Sequence, residues 1–148
     1  MDNEIEEHHD ESQYRYHIDT TWFNDRERSF TMLASSRLCQ ASKKKKPPKS
    51  ESALLSTIKQ CCSKRDDYIA PNMPLLEMVF RLFLANSNQP LTLEQIQERL
   101  EQRLSESAEP RDLSVSKLKR IVDNDRYYGL RPAAGDEGRE GATAPENQ

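Results

Sequence analysis

The sequence predicts a mainly α fold: a three-helix domain closed by a short strand, preceded by a small helical and aromatic region and flanked by disordered tails. Three observations carry this expectation. Capping residues mark two helix starts, at Thr92 and Ser114. Three successive segments between residues 74 and 124 repeat apolar side chains at helical spacing. Over 148 residues only 34% are hydrophobic while 32% are charged, too little apolar surface for one compact core along the full length.

Residues 1–13 carry six acids and no Lys or Arg, and read as an acidic disordered tail. Residues 14–66 form a basic N-terminal region, with twelve Lys/Arg against five acids, in which two short helices are expected. The block from Tyr14 to Phe23 is aromatic and β-prone, and Tyr14, Tyr16 and Trp22 are large groups poorly suited to a solvated surface. Asn24, with Glu27 at the third position, reads as the cap of the first helix; Phe30, Leu33, Ala34 and Leu38 then recur on one side, leaving Arg26, Arg28 and Arg37 outward. Residues 42–52 (SKKKKPPKSES) read as an exposed linker, because four like charges repel and two prolines stop a helix. The second helix is expected from about Ala53 to Lys64, with Leu54, Leu55, Ile58, Cys61 and Cys62 on its apolar side.

The domain proper is expected at 67–132. Its first helix starts at Pro74, since proline at the first turn forfeits no hydrogen bond, and Leu75, Met78, Val79, Leu82 and Phe83 leave only Glu77 and Arg81 as a polar stripe. The second helix has a capping box, Thr92 answered by Gln95, a staple of Leu91 on Ile96, and a narrow apolar stripe of Leu93, Ile96, Leu100 and Leu104. After the loop SESAEPRD, Ser114 caps a third helix with Val115, Leu118, Ile121 and Val122 inward. Tyr127, Tyr128 and Leu130 read as one strand ended by Pro132, and residues 133–148 as a disordered tail. The expected core combines Leu82, Phe83, Ile96, Leu100, Leu118, Ile121 and Tyr128.

This order of helix, QPLTLEQI helix, loop, LSVSKLKRIVDND helix and RYYGL strand resembles the winged helix-turn-helix superfamily. It is loosely similar to the N-terminal domain of the RNA polymerase delta subunit, through Pro90, Leu91 and Thr92 and then Leu118 and Asp125. The resemblance covers about 60 residues, all in the C-terminal half. It implies that helix 113–124 is a recognition helix. The loop before that helix is longer than in the tight motif, and one clear strand follows it, so the wing is expected to be short or absent.

The function expected is a non-enzymatic nucleic-acid-binding or transcription-associated module. The candidate contacts are Ser116, Lys117, Lys119, Arg120 and Asn124 on the third helix, types that meet phosphates and base edges, together with Lys43, Lys44, Lys45 and Lys46 as a phosphate-contacting arm. Against this, residues 67–131 are nearly neutral, with nine bases and ten acids, and Asp123 and Asp125 repel phosphates locally; the same helix also reads as a solvated face, and the lysines as a solubilising linker. The alternative is a protein-interaction adaptor docking on a polymerase, ribosome or repressor partner. Nucleic acid, DNA before RNA, or a protein is thus the expected partner, with no membrane.

No Gly-rich phosphate loop, HExxH or nucleophile elbow is present, so no catalytic residues, cofactors or metal are expected. Cys39, Cys61 and Cys62 lack a CxxC pair, and adjacent cysteines do not easily both face one tetrahedral metal, so they read as small core side chains rather than metal or iron–sulfur ligands completed by His17. His8 and His9 in the acidic tail offer at most weak metal binding. Three cysteines make no disulfide framework, and the acidic N-terminus is no secretory signal, which points to the reducing cytoplasm.

Overall fold

The computed structural model describes residues 14–46, 48–107 and 111–133. The acidic stretch 1–13, with His8 and His9, and residues 134–148 lie outside the described residues. The protein is mainly helical with a small three-stranded sheet. In chain order the elements are β1 (Arg15–Ile18), α1 (Thr20–Asn24), α2 (Phe30–Ser35), α3 (Gln40–Lys43), α4 (Glu51–Gln60), a 3-10 turn (Cys62–Lys64), α5 (Leu75–Ala85), β2 (Leu91–Thr92), α6 (Leu93–Arg103), α7 (Val115–Asp123) and β3 (Leu130–Pro132).

The sheet order is β2-β1-β3, both pairings antiparallel. The first of the described strands is therefore the middle one, with Tyr16 opposite Leu91 on one side and Ile18 opposite Leu130 on the other. Tyr16 and Ile18 point into the core while Arg15 is exposed, the period-two alternation of a one-sided sheet. Beyond Ile18 the ladder is continued by a side chain. Asn88 accepts from the Ile18 N–H (2.8 Å) and donates to the Ile18 carbonyl (2.9 Å) from a left-handed turn at φ 55°.

One hydrophobic cluster runs through the molecule. It joins Tyr16, Trp22, Phe23, Leu54 and Ile58 to Met78, Phe83, Ile96, Leu100 and Leu118, so residues on both sides of position 66 share it. Of the expected core, Leu82, Phe83, Ile96, Leu100 and Leu118 are buried in the cluster, with Ile121 and Tyr128 partly buried against it. The capping box on α6 forms, with Thr92 Oγ1 accepting from the Gln95 N–H and Gln95 Oε1 accepting from the Thr92 N–H. Ser114 caps α7.

Several local expectations are corrected. The block from Tyr14 to Phe23 divides into a strand and a helix at Asp19, whose carboxylate accepts from both the N–H and hydroxyl of Thr21 and so starts α1. Asn24 ends that helix; Ser29, not Asn24, caps α2, and Glu27 adopts a left-handed turn conformation at φ 54°. Among the described residues, 14–66 carry four α-helices rather than two. The 42–52 segment begins inside α3, where Ser42 is buried, and ends inside α4, capped by Ser50. Pro74 precedes the first helical residue of α5. The final strand is Leu130–Pro132; Tyr127 and Tyr128 lie in the turn before it.

Arg37 is also corrected. Because α2 ends at Ser35, Arg37 turns inward and grips Glu77 with two hydrogen bonds, Nε to Oε2 at 2.9 Å and Nη2 to Oε1 at 2.7 Å. Glu77, rather than lining an outer stripe, is buried, and it also accepts from Arg81 Nε (2.8 Å) and the Tyr128 hydroxyl (2.7 Å). Burial alone would push its pKa up; the bonds from Arg37, Arg81 and Tyr128 overcome this and hold it down at about 2.

Candidate nucleic-acid interface

Helix α7 is held by its inner face. Leu118 and Val122 are fully buried, and the helix packs on α6 and β3. Its start is built by two short side chains: Asp112 accepts from the Ser114 N–H (3.0 Å), and Ser114 Oγ accepts from the Lys117 N–H (3.4 Å). The Ser114 hydrogen bonds keep the Asp112 carboxyl below its usual range, so a negative charge sits at the positive end of the helix.

The outer face carries the expected residues. Ser116, Arg120 and Asn124 are exposed, while Lys117 and Lys119 are half-buried. Lys119 Nζ is paired with Asp123 Oδ2 at 2.7 Å, and the Asn124 amide donates to the Arg120 carbonyl (2.7 Å), partly committing Asn124 to ending the helix.

The two acids that weaken this face are both engaged within the fold. Asp123 accepts from Lys119 and, through Oδ1, from the Tyr16 hydroxyl of the middle strand at 2.9 Å. Asp125 is 2% exposed. Its Oδ1 accepts from the N–H groups of Tyr127 and Tyr128, and its Oδ2 from that of Leu130. It organises the turn into β3 instead of facing solvent. Arg120 on the helix and Arg126 in the turn after it are exposed, and Lys117 is half-buried.

Lys43, Lys44, Lys45 and Lys46 are exposed on the end of α3 and the turn after it. That turn is seated by Cys39 and Ser42 against Cys62, whereas α7 belongs to the α6–β3 side. The two basic groups thus stand on different elements.

Residues missed by the sequence reading adjoin the C-terminal end of α7. Tyr127 is 49% exposed. Arg28 donates to its carbonyl at 2.8 Å and lies 4.3 Å from its ring centre. Trp22 has Arg26 at 4.1 Å and Arg131 at 5.2 Å from its ring centre. Such cation–aromatic packing holds guanidinium groups in place without neutralising them. The clustering of arginines with aromatic residues in 22–28 and 126–131 is the signal from which this grouping could have been read.

The structure also brings together Cys39, Cys61 and Cys62, which the sequence reads as separate core side chains. Helix α4 ends at Gln60, and Cys61 leaves helical geometry (φ −121°, ψ −63°), so the adjacent cysteines do not diverge. All three Sγ atoms lie within 4.8 Å of one another. The nearby Ser42 hydroxyl lowers the Cys39 thiol pKa to about 6, while burial raises that of Cys62.

No family model, curated protein or solved structure matches the chain. Among the described residues no helix is long and apolar enough to cross a membrane.

Proposed function

We propose that the protein is a non-enzymatic nucleic-acid-binding or transcription-associated module whose α7 lies against the polyanion. The observation that carries this reading is the fate of Asp123 and Asp125. With one paired to Lys119 and Tyr16 and the other enclosed by three backbone N–H groups, the outer side of α7 presents Ser116, Lys117 and Arg120, and the turn after it exposes Arg126. These side chains suit phosphate and base-edge contacts. Tyr127 beside Arg28 adds a stacking surface at the same end of the helix.

The order α5, β2, α6, α7, β3 is compatible with a winged-type helix-turn-helix. Among the described residues β3 pairs with β1 and no wing hairpin follows α7. The free cysteines fit a reducing compartment such as the cytoplasm.

An adaptor role is favoured by a different observation: the outer side of α6 exposes Glu94, Glu98 and Glu101, a surface suited to a basic protein partner. Arg120→Glu separates the two readings. Fluorescence anisotropy with labelled duplex DNA and RNA at low salt should show binding that weakens as salt rises, with a slope of about −0.9 per phosphate neutralised on duplex DNA, and Arg120→Glu should reduce it. No binding at low salt would overturn the nucleic-acid reading; unchanged nucleic-acid affinity with loss of a protein partner would favour the adaptor.

A further inference from the structure

The three cysteines of the chain lie together although Cys39 is far in sequence from the other two. Cys39 stands at the N-terminus of α3, Cys61 at the end of α4, and Cys62 at the start of the 3-10 turn. Cys39 Sγ and Cys61 Sγ are 3.6 Å apart. A zinc ion with sulfur ligands at about 2.3 Å and tetrahedral angles sets its sulfurs about 3.8 Å apart. The Cys39–Cys61 spacing is close to that value, and Cys62 Sγ lies within 4.8 Å of both.

A second observation concerns what surrounds the sulfurs. The Cys39 N–H donates to Cys62 Sγ at 3.1 Å. Ser42, only 4% exposed, places its Oγ 3.4 Å from Cys39 Sγ and 3.5 Å from Cys62 Sγ. The thiols of Cys39 and Cys62 donate to Ser42 Oγ, and once they are deprotonated the same hydroxyl can turn to donate to one of the sulfurs beside the Cys39 N–H. Such outer hydrogen bonds orient metal-bound thiolates and spread their charge. Cys39 and Cys61 are only half-buried, and Cys39 and Cys62 line a cleft of about 270 Å³ that also bears Lys43 and Arg65. The cleft gives an ion a way in, and its cations oppose the single negative charge left when three thiolates bind a divalent metal.

We propose that Cys39, Cys61 and Cys62 form a binding site for a thiophilic metal ion, zinc(II), with three thiolate ligands and the fourth position open to the cleft. Binding displaces the thiol protons to solvent and changes no oxidation state. The site ties α3 to the end of α4, and so anchors the base of the Lys43–Lys46 segment.

The test uses the full-length, untagged, reduced chain with His8 and His9 replaced by alanine, which removes competing ligands. Zinc(II) titration should give one ion per chain. Because these are the only cysteines, thiol counting is unambiguous: one equivalent of zinc should protect all three from alkylation. Cobalt(II) should produce thiolate-to-cobalt charge-transfer absorption, and Cys61→Ser should abolish both signals. Should Cys61→Ser fail to fold, thiol protection in the otherwise unaltered chain still decides. Unprotected thiols at one equivalent, zinc binding that survives Cys61→Ser, or a protein that binds no metal but readily forms a Cys39–Cys61 disulfide would each overturn the proposal.

Discussion

Replacing Glu77 with glutamine removes one charge from a carboxylate that accepts four hydrogen bonds, two from Arg37, one from Arg81 and one from Tyr128. Burial raises the cost of that charge, yet the net effect is a pKa held at about 2 against an ordinary value of 4.5. With each unit worth about 1.36 kcal/mol, the ionised carboxylate stabilises the fold by about 3 kcal/mol at neutral pH. Breaking one side of a buried ion pair costs about 3–5 kcal/mol, which agrees in scale. Because the folded pKa lies below the unfolded one, this contribution is present above pH 4.5 and disappears as pH falls toward 2.

Urea unfolding followed by the fluorescence of Trp22, the single tryptophan, measures both parts. Glu77→Gln should lose about 3 kcal/mol at pH 7 and about half that at pH 3, so the two stability curves converge in acid. A variant within about 0.5 kcal/mol of the parent at pH 7, or a gap that does not narrow in acid, would refute the role given to Glu77.

Three further outcomes are expected. Leu118→Ala, at a fully buried position where α7 meets α6, should cost about 2–5 kcal/mol in the same assay and lower the melting temperature sharply. Gly129→Ala should be destabilising, since residue 129 sits at φ +76° and a Cβ there would lie 2.7 Å from Phe23 Cε1; backbone strain alone is worth about 1–3 kcal/mol, read as a drop in the urea midpoint. Replacing Lys43, Lys44, Lys45 and Lys46 with serine should leave thermal unfolding nearly unchanged, because all four are exposed, while the salt dependence of duplex DNA binding becomes shallower by about 0.9 for each phosphate no longer neutralised.

Helix starts are legible in the sequence because caps are local: Thr92 with Gln95, and Ser114, need only neighbours a turn away. The partners of β1 are not, since nothing in RYHI states that Leu91 and Leu130 will flank it. Arg37 points the opposite way from the sequence expectation for a related reason. The apolar period through Leu38 suggests one helix, whereas the helix stops at Ser35 and rotates Arg37 toward Glu77. On α7 the exposed residues can be read from the period of its buried ones. The disposal of Asp123 and Asp125 cannot, as it depends on Tyr16 from the far end of the chain and on backbone N–H groups in the following turn. The convergence of Cys39 on Cys61 and Cys62 likewise requires the end of α4 to be known.

The middle position of β1 bears on how the chain matures as it is synthesised. His17 pairs with Arg131, and the Arg15 carbonyl accepts from the Ala133 N–H at 2.8 Å, so the two ends of the described fold are stitched side by side. During translation β1 precedes both of its partners, so one edge stays unpaired until Leu91–Thr92 has been made and the other until Leu130–Pro132. The helices are free to associate in that interval, but the sheet closes last, a long loop whose ends meet late. The same neighbourhood of ends makes the fold a good subject for circular permutation: joining residues 15 and 133 by a short bridge and opening the chain at the exposed lysines after α3 would leave every strand pairing intact while reversing which elements are made first.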